Sequence, residues 1–153
     1  NFVLDTSSMK THELRNRIGK LVLNRDVNSE IILNVMSFGY KNGVPLDADF
    51  MFDVRFLDNP YYQSELRTKT GLDIAVSDYV FSQSEASEVV ETISNLMKHW
   101  IPLHSQAGKT SLTIAIGCTG GQHRSVAITE RLSQILSLKF DSVTAIHRDL
   151  SNI

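Results

Sequence analysis

Apolar residues run almost unbroken through "IILNVMSFGY" (Ile31–Tyr40) and alternate along "SLTIAIG" (Ser111–Gly117), where Leu112, Ile114 and Ile116 share one face. Both read as strands, the first β-rich enough to be buried. "MFDVRFL" (Met51–Leu57) is a third strand candidate, and Val143–Ile146 a short last one. Elsewhere the period is that of a helix. From Glu85 to about His104, the residues Val89, Ile93, Leu96, Met97 and Trp100 fall on one stripe, with Glu88, Glu91 and Lys98 off it; such a stripe faces a core. "SVAITERLSQILSLK" repeats the pattern through Val126, Ile128, Leu132, Ile135 and Leu136.

Near the start, Thr11 is placed to cap a helix carrying Leu14, Ile18 and Leu21, after a short apolar run at Phe2–Leu4. "LNRDVNSE" (Leu23–Glu30) is polar and reads as a linker, so a module boundary is expected near Arg25–Ser29, dividing residues 1–26 from 27–153. Strands alternating with helices predict a single α/β domain with a mainly parallel central sheet flanked by helices, covered on both faces. "DNPYYQSELRTKTGLD" has no clear period, and a loop of that length (Asn59–Asp73) is either a gate over a site or an interface.

In this architecture ligands bind beyond the carboxyl ends of the strands, where "GCTGGQHRS" (Gly117–Ser125) is expected to lie. Free N–H groups at a helix start, aided by the helix dipole, make an anion site. Gly120 and Gly121 let backbone approach a ligand, and Thr119 and Ser125 add hydroxyl donors. Arg124 can grip phosphate oxygens with two prongs, and His123 donates further, as a cation if an anion raises its pKa. Cys118 and Arg124 also stand in the C-x5-R-[ST] spacing of thiolate phosphatases, with Asp53 or Asp58 as candidate general acid. Gly117 occupies the position before the cysteine where tyrosine-phosphatase loops usually have His. A phosphate cradle, a thiol phosphatase with Cys118 as nucleophile and a plain turn packed by a buried cysteine therefore all stay open.

The bulk numbers trim the alternatives. The chain has 153 residues, about one domain, with 42% hydrophobic and 21% charged residues. No apolar run nears the roughly 20 residues of a membrane span. One cysteine precludes an internal disulfide and fits a reducing cytoplasm. A net charge of −2 and pI near 6.2 give no general attraction to nucleic acid, although a local basic patch is compatible with them. His99 and His104, five apart, do not share a metal-binding face; Asp47 and Asp49 read as turn and capping residues. No G-x-x-x-x-G-K-[ST] occurs. A first residue other than Met, followed directly by "FVLD", suggests a piece of a longer chain.

The stretches "SFGYKNGVPLDADFMFDVRFLDNPYY", "ELRTKTGLD" and "LTIAIGCTGGQHRSV", with "HRDL" near the end, resemble the C-terminal domain of the RapZ/YvcJ family of bacterial P-loop nucleotide-binding proteins. The resemblance covers about Ile32 to Leu150, and "VLDTSSM…HELR" is similar to the tail of that family's N-terminal kinase-like domain. It implies a phosphofructokinase-like fold, a cytoplasmic regulator of amino-sugar or cell-envelope metabolism, and no membrane. ATP or GTP is expected in an N-terminal P-loop domain outside this sequence, and no cofactor in this one. The implied ligand is a phosphorylated or nucleotide-linked amino sugar, akin to glucosamine-6-phosphate. The implied pocket comprises Asp53, Arg55, Asn59, Cys118, Thr119, Gly120, Gly121, His123 and Arg124, with Ser125 completing the loop; Asp53 would meet the sugar's hydroxyls or ammonium group. Homo-oligomers are implied, as is small-RNA binding in some members that act as RNase adaptors. Those members have Lys where this chain has Gln122, His where it has Tyr61, and a basic tail where it reads "DLSNI". Fewer cations predict weaker RNA binding, leaving Lys41, Arg55, Arg67, Lys69, Arg124 and Arg148 as candidate contacts. The sugar-phosphate pocket is expected to be untouched by these differences.

Overall fold

The computed structural model describes residues 31–150 continuously and scattered positions between 3 and 21. The predicted linker and module boundary lie outside the described residues. Of the early helix, positions 11, 13, 14, 17, 18 and 21 are helical; Thr11 is already inside it, and the Lys10 N–H donates to the Glu13 carboxylate.

Four strands form one parallel sheet: β1 (Ile32–Gly39), β2 (Phe50–Asp53), β3 (Ser111–Cys118) and β4 (Val143–His147), in the order β2-β3-β1-β4. Three helices join them: α1 (Ile74–Phe81), α2 (Ser84–Gln106) and α3 (Arg124–Ser137). In register, Leu33, Val35 and Ser37 lie beside Leu112, Ile114 and Ile116, and these six are fully buried. Phe50 and Phe52 extend that face through β2. Helix α3 packs on it across β1, β3 and β4, α2 packs on α3, and α1 touches both helices.

The expectation of helices on both faces is corrected. Trp100 of α2 meets Phe50, with ring centroids 5.7 Å apart, so α2 shares the α3 side. None of α1–α3 covers the other face, where Ile32 and Met51 stay 48% and 40% exposed. That face mixes Asn34, Thr113 and Thr144 with apolar residues, so alternation along β1 was hidden by the two isoleucines and by Met36.

Three local expectations also changed. The expected strand Met51–Leu57 ends at Asp53: the Val54 N–H makes the last ladder bond, to the Gly117 carbonyl, and the Leu57 N–H then folds back onto the Val54 carbonyl in a turn. The buried stripe of α2 is Ala86, Val90, Ile93, Met97 and Ile101, turned away from Trp100, which sits 39% exposed at its margin. Helix α1, inside the region after the aperiodic loop, was not anticipated. It has only two turns, buries just Val76 and Val80, and exposes Ile74, so its period is too short to read. Pro102 in the last turns of α2 cannot bond the Lys98 carbonyl; the Lys139 ammonium takes that oxygen at 3.1 Å.

Candidate functional site

The carboxyl ends of the three neighbouring strands finish level: Gly39 lies beside Cys118, and Asp53 beside Gly117. From Cys118 the chain turns through Thr119–His123 into α3, as the glycines and the Arg predicted. The turn presses against the end of β1. A Cβ on Gly39 would stand 2.5 Å from the Gly120 carbonyl carbon and 2.8 Å from the Gly121 nitrogen. Gly121 itself has φ +75°, left-handed backbone that a side chain disfavours. Only Gly120 opens outward, with the Lys41 side chain 3.8 Å from where its Cβ would be.

Residues after β4 clamp this arrangement. The Asp149 carboxylate accepts from the Gly39 N–H at 2.6 Å and pairs with Arg148 at 2.8 Å, while Arg148 also donates to the Gly43 carbonyl at 2.7 Å. The Gln122 amide donates to the Asp149 carbonyl. Burial works against the charge of Asp149, but Arg148 and the Gly39 N–H outweigh it and hold its carboxyl below the usual range.

Beyond the loop lies a cavity of about 520 Å³. Its cationic walls are Lys41, Arg67, Lys69 and Arg124, and among the described residues no carboxylate lines it. Tyr61 and Tyr62 form an aromatic side, with the Arg67 guanidinium 5.0 Å from the Tyr61 ring centre. The long loop is thus partly ordered as a single 3-10 turn, Pro60–Tyr62, started by the Asn59 side chain accepting from the Tyr61 N–H. Gly71 ties its far end to the site, donating to the Gln122 carbonyl at 2.8 Å.

Six sequence-predicted residues line this cavity: Asn59, Cys118, Thr119, Gly120, His123 and Arg124. Arg55 lines an adjoining concavity instead. Asp53, Gly121 and Ser125 line neither. Asp53 is gripped at both oxygens by Arg55, at 2.7–3.0 Å, and that pairing holds its carboxyl below the usual range. The Ser125 hydroxyl is fully buried and lies 3.1 Å from the Cys118 sulfur, to which the Gly121 N–H also points at 3.3 Å.

Arg124 behaves differently from the expected two-pronged phosphate grip. Its guanidinium is 4% exposed and donates to the carbonyls of Arg55 at 2.9 Å and Leu57 at 2.7 Å, and to the Thr119 hydroxyl at 3.2 Å. It pins the β2 exit loop to the start of α3. His123 is 8% exposed, and its Nε2 is buried with no partner among the described residues. Burial pushes its imidazole below the ordinary value, the peptide groups of Leu66 and Lys69 pulling the other way and Arg124 adding to the fall. It is therefore neutral near pH 7, rather than a cation.

A profile of the RapZ C-terminal domain matches residues 31–151. The chain belongs to the RapZ C-terminal domain family. It is 45% identical over 149 residues to a nucleotide-binding protein of Shewanella woodyi, covering 97% of this chain and 53% of that protein. Similar proteins of the same description come from Lysinibacillus sphaericus (46% over 151 residues, 99% and 50% covered) and Staphylococcus epidermidis (47% over 150 residues, 97% and 49%). The chain spans about half the length of the curated relatives it matches. For this RapZ-type domain, one expectation needs correcting: Gln122 and Tyr61, taken to lie away from the ligand pocket, both line the basic cavity. The loop motif pointed to Thr119–Arg124, but nothing local linked Lys41, Arg67 and Lys69 to it; their convergence needs the fold.

Proposed function

We propose that this domain is a non-catalytic regulatory module that binds a phosphorylated amino sugar, free or nucleotide-linked, with the phosphate against the Cys118–His123 turn. The observation that carries this reading is a cavity with four cationic side chains and, among the described residues, no carboxylate, at the strand ends of a chain whose net charge is −2. Loop N–H groups and cations together suit a phosphoryl group. Sugar hydroxyls would meet Asn59, Thr119 and the Tyr61 side. The names of the relatives speak of nucleotides; ATP or GTP is assigned here to the part of a longer, cytoplasmic, homo-oligomeric protein that this chain does not span.

Two other chemistries fit less well. A Cys118 phosphatase would draw on the Ser125 hydroxyl and Gly121 N–H, but the Arg124 Nη1 serves two carbonyls, which leaves only part of its guanidinium for an anion, and Asp53, held ionised by Arg55, is ill suited to donate a proton. For RNA, Arg55, Arg124 and Arg148 are likewise committed within the fold, leaving Lys41, Arg67 and Lys69 as a compact group rather than a stripe.

Calorimetric titration with glucosamine-6-phosphate, glucosamine and inorganic phosphate tests the proposal, on wild type and on Lys41→Ala and Lys69→Ala. Both lysines are exposed, so folding is spared. Binding of the sugar phosphate, weakened in both variants, supports it; no heat with any sugar phosphate at millimolar concentration rejects it. Gel retention across a salt series and aryl-phosphate turnover lost in Cys118→Ser would establish the alternatives.

A further inference from the structure

The basic cavity has a neighbour. A second concavity of about 430 Å³ shares four of its walls: Asn59, Tyr62, Thr119 and Arg124. The shared residues form a low divide, with the Arg124 guanidinium fastened to the Arg55 and Leu57 carbonyls on one side and to Thr119 on the other. The two lobes differ in chemistry. The first is cationic. The second carries Phe56, Tyr62 and Tyr79 with Asp58 and Asn59, aromatic surface beside groups that accept and donate hydrogen bonds.

Three observations converge on what this pair of lobes would hold. Their combined room reaches the upper end of the ~300–1,000 Å³ of ordinary ligand sites, well beyond a single hexose phosphate. Three exposed cations around the turn, Lys41, Arg67 and Lys69, exceed what one phosphate dianion needs. Phe56 and Tyr62 are 62% and 78% exposed at the rim, aromatic faces that a flat ring would cover. His123 also lines the first lobe, and its Nε2 is a buried nitrogen without a partner among the described residues.

Resting on the reading of the first lobe as a phosphate site, we infer that the natural ligand is a nucleoside-diphosphate sugar, its diphosphate in the cationic lobe and its base on Tyr62 and Phe56 in the second. The divide at Thr119 and Arg124 falls where the nucleoside joins the diphosphate. Asp58 and Asn59 then face the edge of the base, and the sugar stays with His123 and Tyr61. Arg124 acts as a positioning residue, holding the 55–57 loop where the second lobe needs it.

The experiment compares UDP-N-acetylglucosamine, glucosamine-6-phosphate and inorganic diphosphate by calorimetry, on wild type, Tyr62→Ala, Phe56→Ala and Lys41→Ala, with circular dichroism to verify folding. The expected result is that the UDP-sugar binds at least tenfold tighter than either smaller anion. Tyr62→Ala and Phe56→Ala each weaken it about tenfold, the scale of one lost base–aromatic stack; Phe56, which lines only the second lobe, leaves diphosphate unchanged when replaced, whereas Lys41→Ala weakens all three. Equal affinity for the UDP-sugar and glucosamine-6-phosphate, or equal weakening of both by Phe56→Ala, overturns the two-lobe inference while the sugar-phosphate reading stands. Failure of every phosphate compound overturns both.

Discussion

Alanine at position 39 separates two roles that glycine plays around the anion turn. Gly39 has φ −107° and ψ 126°, backbone that alanine adopts freely, so any penalty is steric. The added methyl would meet the Gly120 carbonyl carbon at 2.5 Å and its oxygen at 2.7 Å. Carbon atoms rest at about 3.5–4.0 Å, so the turn must retreat by roughly 1 Å, and its neighbour is backbone that cannot rotate aside. Overpacking of this kind costs about 1–3 kcal/mol, or about 2–12 °C in Tm for a domain of this size. The same displacement lengthens every N–H contact from the turn to an anion beyond useful reach, so phosphate affinity should fall at least about tenfold. Gly120→Ala is the control: its Cβ meets only the Lys41 side chain, at 3.8 Å. Stability should stay within about 0.5 kcal/mol of wild type, while binding suffers from a methyl inside the cavity. Urea unfolding and phosphate titration of both variants decide the matter. A Gly39→Ala protein that melts within a degree of wild type and binds normally would refute the close-contact reasoning.

Other outcomes follow from the same geometry. Arg124→Lys should lose about 2–4 kcal/mol in chemical unfolding, because a lysine cannot serve the two carbonyls and Thr119 together; retention of full stability would contradict the pinning role. Asp149 is held below its unfolded value, so its contribution is present above about pH 4 and fades as pH falls through the lower folded value. Asp149→Asn should therefore be less stable at neutral pH and show a flatter acid limb below about pH 4, read by thermal melts across pH. The buried His123 is also lowered, so its share of stability is present above about pH 6.5 and declines below it; in His123→Gln that decline should shrink.

Periodicity along neighbouring residues was enough for β3, α2 and α3, and an apolar, β-rich run for β1, because the alternation of Leu112, Ile114 and Ile116 and the helical spacing of Val126, Leu132 and Leu136 are local consequences of backbone geometry. The turn between β3 and α3 was legible for the same reason: two glycines, a hydroxyl residue and an arginine between a strand and a helix describe a backbone conformation by themselves. Two-turn α1 was not, since eight residues hold too little pattern. Tertiary structure alone decided the rest. Parallel crossovers set positions 41, 67 and 119 around one cavity, although they are far apart in the chain, and the order β2-β3-β1-β4 places Asp149 over Gly39. Arginine's many donors let Arg124 serve a carbonyl as readily as a phosphate, and only the nearness of the Arg55–Leu57 loop determined which. Side-chain types state what chemistry a residue can do; distances across the fold determine what is left for it to meet.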